Sequence, residues 1–165
     1  MKQQNQHNKI TDSNDYPFYQ YHDKKCIEYQ GCGNVSASEN DRKYIIVNKS
    51  KKEVVKYKID GGLINDEEEI KCDYGFYTED DVLFLVELKG GNYSHAINQI
   101  INTIQLLIKN SKIKISKINA RIVASRVSKP EMRSSSEKKL KIILDGYHPN
   151  KDNLKKQSIQ MTETL

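Results

Sequence analysis

The chain has 165 residues, 36% of them hydrophobic and 30% charged, with 27 Lys and Arg against 22 Asp and Glu, a net charge of +5 and a mean hydropathy of −0.77. That length suits one domain with a single sizeable core; with no run of about 18 apolar residues and no apolar signal segment, nothing in the sequence directs the chain to a membrane or to export, and the cytoplasm is the expected location. Cys26, Cys32 and Cys72 form no CxxC pair and have no histidine at ligand spacing, which argues against a zinc site, while the modest basic excess permits a polyanionic partner without requiring one.

The two ends are polar. Residues 1–15 and 148–165 carry little to bury and read as tails around a single domain at 16–147. Residues 16–34 mix aromatic and polar side chains and end in glycines, the pattern of a short helix followed by a turn. Residues 43–47 and 53–59 are rich in β-branched residues and tyrosine and predict two strands, with Lys49, Ser50, Lys51 and Lys52 in the turn between them. A short strand over 70–77 follows the acidic cluster Asp66 to Glu69, and a tight connection through Thr78 to Asp81 leads into a strong apolar strand at 82–89, so these two strands should pair as an antiparallel hairpin.

Two glycines, Gly90 and Gly91, end that strand. In residues 93–109, Ala96, Ile97, Ile100, Ile101, Ile104, Leu107 and Ile108 recur at helical spacing, one apolar stripe that Asn92 or Ser94 would cap. Residues 118–127 are apolar enough for a strand buried on both faces, as in a parallel pair joined by a crossover helix. Residues 128–136 form a loop, and 137–144 read as a helix or a strand. The expected fold class is therefore α/β, a mixed central sheet flanked by helices and built from an antiparallel hairpin plus a strand-helix-strand crossover.

Side chains alternate across a strand, so Leu83, Leu85, Glu87 and Lys89 share one face of the 82–89 strand and Val82, Phe84, Val86 and Leu88 the other. Antiparallel pairing through a short turn can bring the Asp73 carboxylate across to Glu87. Two carboxylates and a lysine at a sheet edge suit phosphodiester hydrolysis: Asp73, Glu87 and the backbone carbonyl of Leu88 would hold Mg2+ through hard oxygen donors, with Mn2+ able to substitute, and Lys89 would position or help deprotonate the attacking water. Arg121, Arg126, Lys129, Arg133, Lys138, Lys139 and Lys141 make the densest basic region, with Arg121, Arg126, Lys129 and Arg133 as candidate phosphate contacts. Tyr74, Tyr77 and Tyr93 read as packing residues in and beside the sheet.

At these residues the sequence resembles the PD-(D/E)XK nuclease superfamily, whose signature is an aspartate on one strand, then [D/E]-x-K at the end of the next, then a helix that often carries a glutamine. Asp73 matches the first element, Glu87-Leu88-Lys89 the second and Gln99 the third, over roughly residues 53–127. The resemblance implies a restriction-endonuclease-like core and a Mg2+-dependent endonuclease with Asp73, Glu87, Lys89 and Gln99 in its catalytic site. It also favours DNA over RNA as substrate, a role in restriction, repair or defence against phage, and a homodimer or a partner subunit that supplies target recognition. The alternative is a catalytically inactive nucleic-acid-binding or protein-interaction subunit on the same fold. The sequence departs from the family pattern in placing Cys72 at the position of the proline and Thr103 where some relatives have tyrosine. Glu28 and Glu39 are both candidates for the acid that many members carry on a preceding helix.

Overall fold

A computed structural model of the chain describes residues 17–18, 26–89, 91–126 and 135–165; the polar segment 1–15, Gly90, Lys129 and Arg133 lie outside the described residues. The strands are β1 (Ile27–Gly31), β2 (Val35–Glu39), β3 (Arg42–Val47), β4 (Val54–Lys58), β5 (Tyr74–Thr78), β6 (Val82–Lys89), β7 (Lys117–Ala124), β8 (Leu154–Ser158) and β9 (Gln160–Thr164). Helix α1 (Tyr93–Thr103) follows β6 and continues as a π-helical stretch, Ile104–Lys109, while α2 (Ser135–Tyr147) precedes β8. The fold is mixed α/β.

Six strands form one sheet in the order β1-β4-β5-β6-β7-β8, antiparallel from β1 to β6 and parallel from β6 to β8. Three others form a smaller sheet in the order β2-β3-β9. The β5–β6 hairpin and the β6-α1-β7 crossover are both present, the latter bringing two parallel strands side by side through a helix.

Strand β6 shows why three layers form. Leu83 and Leu85 pack with Ile97, Ile100, Ile122, Leu140 and Leu144 under the helices, whereas Val82, Phe84, Val86 and Leu88 pack against Val35, Tyr44, Ile46 and Met161 of the small sheet. Each fully buried aliphatic side chain contributes about 1.5–3 kcal/mol relative to exposure. Because both faces are covered, a slip of one residue would turn Glu87 into the apolar layer between the sheets, so packing on both faces pins the register of this strand. In α1 and its π-helical continuation the stripe Ala96, Ile97, Ile100, Ile104, Leu107 and Ile108 is buried, Ile101 lies at its margin, and Asn92 provides the cap by accepting the amide hydrogen of His95 at 3.0 Å.

Several expectations are corrected. Of the stretch 16–34, expected as a short helix and a turn, residues 16 and 19–25 lie outside the described residues and Ile27–Gly31 form the strand β1, with the turn after it; β2 pairs with β3 across a tight turn in which Asn40 and Asp41 take φ of 46° and 64°. Strands β3 and β4 belong to different sheets, and β5 begins at Tyr74, leaving Asp73 at its mouth. Residues 137–144 are helical, the first of the two alternatives for them, and α2 begins at Ser135, inside the segment expected as a loop, whose residues 128–134 lie outside the described residues.

The polar segment 148–165 supplies two strands: β8 extends the large sheet as an edge and β9 lies parallel to β3 with only Met161 of its five residues buried. An edge strand needs few apolar residues, and long-range pairing overrides weak local preference. Between them the exposed Ile159, with φ of 63°, donates its amide hydrogen to the Ala124 carbonyl and accepts that of Lys43, both at 2.9 Å, tying the two sheets together.

Candidate active site

The site forms where β6 leaves the sheet. The β5–β6 register pairs Tyr74 with Val86, and one step further along the hairpin Asp73 stands opposite Glu87. The backbone of Asp73 keeps to the sheet, since its carbonyl accepts the Ile59 amide hydrogen at 2.9 Å. Its carboxylate turns across the strand pair, where Oδ2 accepts the Leu88 amide hydrogen at 2.7 Å. A residue in an extended strand presents its N–H and C=O to the same edge, so the Leu88 carbonyl faces that edge as well. Glu87 is 1% exposed, and its Oε2 is buried with no hydrogen-bond partner among the described residues. Lys89 Nζ stands 4.0 Å from Glu87 Oε1, and its side chain is one-third exposed.

The electrostatics of this corner are unusual for carboxylates. Burial pushes Glu87 up to about 9; the Asp73 charge adds to this, and the Lys89 ammonium and the Asp73 backbone amide oppose it. Burial also raises Asp73, to about 6, against the Leu88 amide and Lys89, with Glu39 and Asp60 contributing repulsion. Two carboxyls so close titrate as one unit, and the pair holds a proton at neutral pH. A bound cation would replace that proton and stabilise both anions.

The helix supports this arrangement from below. Thr103 Oγ1 accepts the Cys72 amide hydrogen at 2.9 Å and donates to the Gln99 carbonyl at 2.8 Å. The Gln99 side-chain amide, itself buried, donates to the Lys71 carbonyl at 2.8 Å. Gln99 therefore holds the strand that delivers Asp73, and among the described residues it makes no hydrogen bond to either carboxylate. Cys72 is fully buried, and its burial pushes the thiol well up, with Glu87 adding to the shift, so the thiol is no nucleophile at neutral pH.

Neither acid expected on a preceding helix lies on one. Glu28 is on β1, paired with Lys56 at 2.6 Å. Glu39 ends β2 and acts electrostatically on both Asp73 and Glu87. Asp60, at the end of the strand expected over 53–59, also acts electrostatically on Asp73; it follows β4 as Asp73 precedes β5 in their antiparallel register. Its own partner is Lys71, whose Nζ lies 3.3 Å away.

The basic flank is divided. Arg121 is 2% exposed, with Nε 2.5 Å from Glu163 Oε2 and a further hydrogen bond to the Asp152 carbonyl at 3.1 Å, so its guanidinium is not free for a phosphate. It points away from the helices because β7 residues alternate and Ala120 and Ile122 occupy the helix side. Arg126 is exposed beyond the end of β7.

Among the described residues no three His, Cys, Asp or Glu side chains converge as a ligand cluster. The donor set on offer is two carboxylates and a main-chain oxygen, all hard oxygens, with one buried carboxylate oxygen unpartnered; these fit Mg2+ or Mn2+, which keep water in their coordination shells. No helix among the described residues is long and apolar enough to cross a membrane. Searches of family models, curated proteins and solved structures return no match to this chain.

Proposed function

We propose that this chain is a metal-dependent nuclease of the PD-(D/E)XK kind, hydrolysing phosphodiester bonds in DNA rather than RNA. The observation that carries the reading is the meeting of Asp73 with Glu87 across the β5–β6 hairpin, with Lys89 two residues further on the same face. Strands β4 to β7 with α1 follow the order of a restriction-endonuclease-like core, which supports the same reading.

Asp73, Glu87 and the Leu88 carbonyl would hold the cation, which when bound acidifies a coordinated water and offsets charge on the phosphate. The chain's own residues supply the rest. Glu87, 1% exposed, presents its oxygens out of contact with bulk water. Lys89, partly exposed beside the pair, would orient the attacking water or a phosphate oxygen at Nζ.

The test is cleavage of single- and double-stranded DNA and RNA with Mg2+ or Mn2+. Asp73→Ala and Lys89→Ala should each lower the rate by about a hundredfold or more. Cleavage surviving both would remove the site assignment. Salt-sensitive binding with no cleavage under any divalent cation would instead indicate an inactive nucleic-acid-binding subunit.

A further inference from the structure

Beyond the carboxylate pair, a cavity of about 400 Å³ opens between α2 and β8. It lies on the helix-bearing side of the large sheet. Lys156 on its wall is in register with Ile122, which is in register with Glu87, so the cavity begins two strands, about 10 Å, from the site. Tyr93, Ile142 and Leu154 form its apolar part, and Ile142 is 72% exposed, far more than a core residue.

The rest of the wall is basic: four lysines face one glutamate. Lys141 is committed to Asn153 at 2.7 Å and Asp145 at 3.2 Å. Lys156 lies 4.5 Å from the centre of the Tyr93 ring and 3.7 Å from Glu137 Oε2. Lys138 and Lys151 are exposed and have no ion pair among the described residues, which leaves two ammonium groups beside an apolar wall.

We infer that this cavity binds a nucleoside phosphate, with the base against Tyr93, Ile142 and Leu154 and the phosphate on Lys138 and Lys151. The volume falls within the range of about 300–1,000 Å³ typical of small-ligand sites, and the pairing of an apolar wall with lysines as point charges matches that chemistry. The inference does not require the carboxylate pair to be catalytic. The ligand has two sources, a free nucleotide or the phosphorylated end of a nucleic acid strand.

Calorimetric titration of the full chain in EDTA, first with AMP and then with a short end-phosphorylated single strand of DNA, tests it. At least one probe should bind, and Lys138→Glu with Lys151→Glu should weaken it by about tenfold or more, the loss of at least one charge-assisted hydrogen bond. Ile142→Ser, also at the surface, should weaken it further. Thermal melts establish that the variants fold. Asp73→Ala should bind as the natural chain does, so a failure of the nuclease reading leaves this result intact. Comparable affinity for both probes identifies a free nucleotide, and a marked preference for the strand identifies a strand end. Absence of binding by either probe at millimolar concentration, or unchanged affinity in the lysine variants, overturns the inference.

Discussion

The Asp73 carboxylate and the Leu88 backbone amide are joined across the β5–β6 hairpin at 2.7 Å. This bond turns Asp73 toward the strand that carries Glu87 and leaves its second oxygen available. It also sets a fixed acceptor beside a carboxyl that is almost wholly enclosed. The Asp73 carboxylate is thus held by a main-chain donor rather than by a mobile side chain, the condition for a ligand to be presented without reorganisation.

Stability should depend on pH through these two acids. Both are raised above their ordinary values, Asp73 to about 6 and Glu87 to about 9, so between about pH 4 and those values the folded chain binds more protons than the unfolded one. Their contribution therefore favours the fold at acid pH and is lost as pH rises through that window. Thermal melts in EDTA should show Glu87→Gln more stable than the natural chain at about pH 8, with a flatter pH dependence. A lower melting temperature for Glu87→Gln there would contradict the assigned burial cost.

Metal binding should carry the opposite dependence. A cation on Asp73 and Glu87 must displace the shared proton, so Mn2+ affinity should rise from about pH 6 to pH 9 with proton release. Calorimetry in buffers of different ionisation enthalpy measures that release. Heat independent of the buffer at neutral pH would place the cation elsewhere.

Arg121 and Arg126 should separate stability from binding. Arg121 is buried against Glu163 between the sheets, and Arg121→Met leaves that carboxylate without its closest partner, a loss of about 3–5 kcal/mol for a buried pair. Denaturant unfolding checks this. Arg126→Ala should leave stability within about 0.5 kcal/mol and reduce the salt dependence of nucleic acid binding, read from affinity against salt concentration.

Thr103 should matter to a site it does not touch. Thr103→Val leaves the buried Cys72 amide unpaired, at a cost of about 1–3 kcal/mol, and loosens the strand that delivers Asp73. Thr103→Ser keeps the hydroxyl and should restore cleavage. Equal activity in the Val and Ser variants would show that Asp73 is positioned without this bond.

Local pattern was enough for β6, the α1 stripe, the β5–β6 hairpin and the parallel β7, because each buries a face whose period is written in consecutive residues. That same alternation placed Glu87 and Lys89 together and Asp73 opposite. It did not disclose β8 and β9, whose polar residues are ordered by neighbours far away in the chain, nor β2, whose small residues resemble a loop. Arg121 read as a surface cation because sequence shows charge and not partners; Glu163, which encloses it, stands on β9, 42 residues on. The approach of Glu39 and Asp60 to Asp73, and the hold of Gln99 and Thr103 on the strand before it, are likewise products of packing. By itself the sequence determined which residues could meet at the strand end. Only tertiary structure decided how deeply they are buried and what else surrounds them, since desolvation and long-range pairing depend on the whole assembled chain.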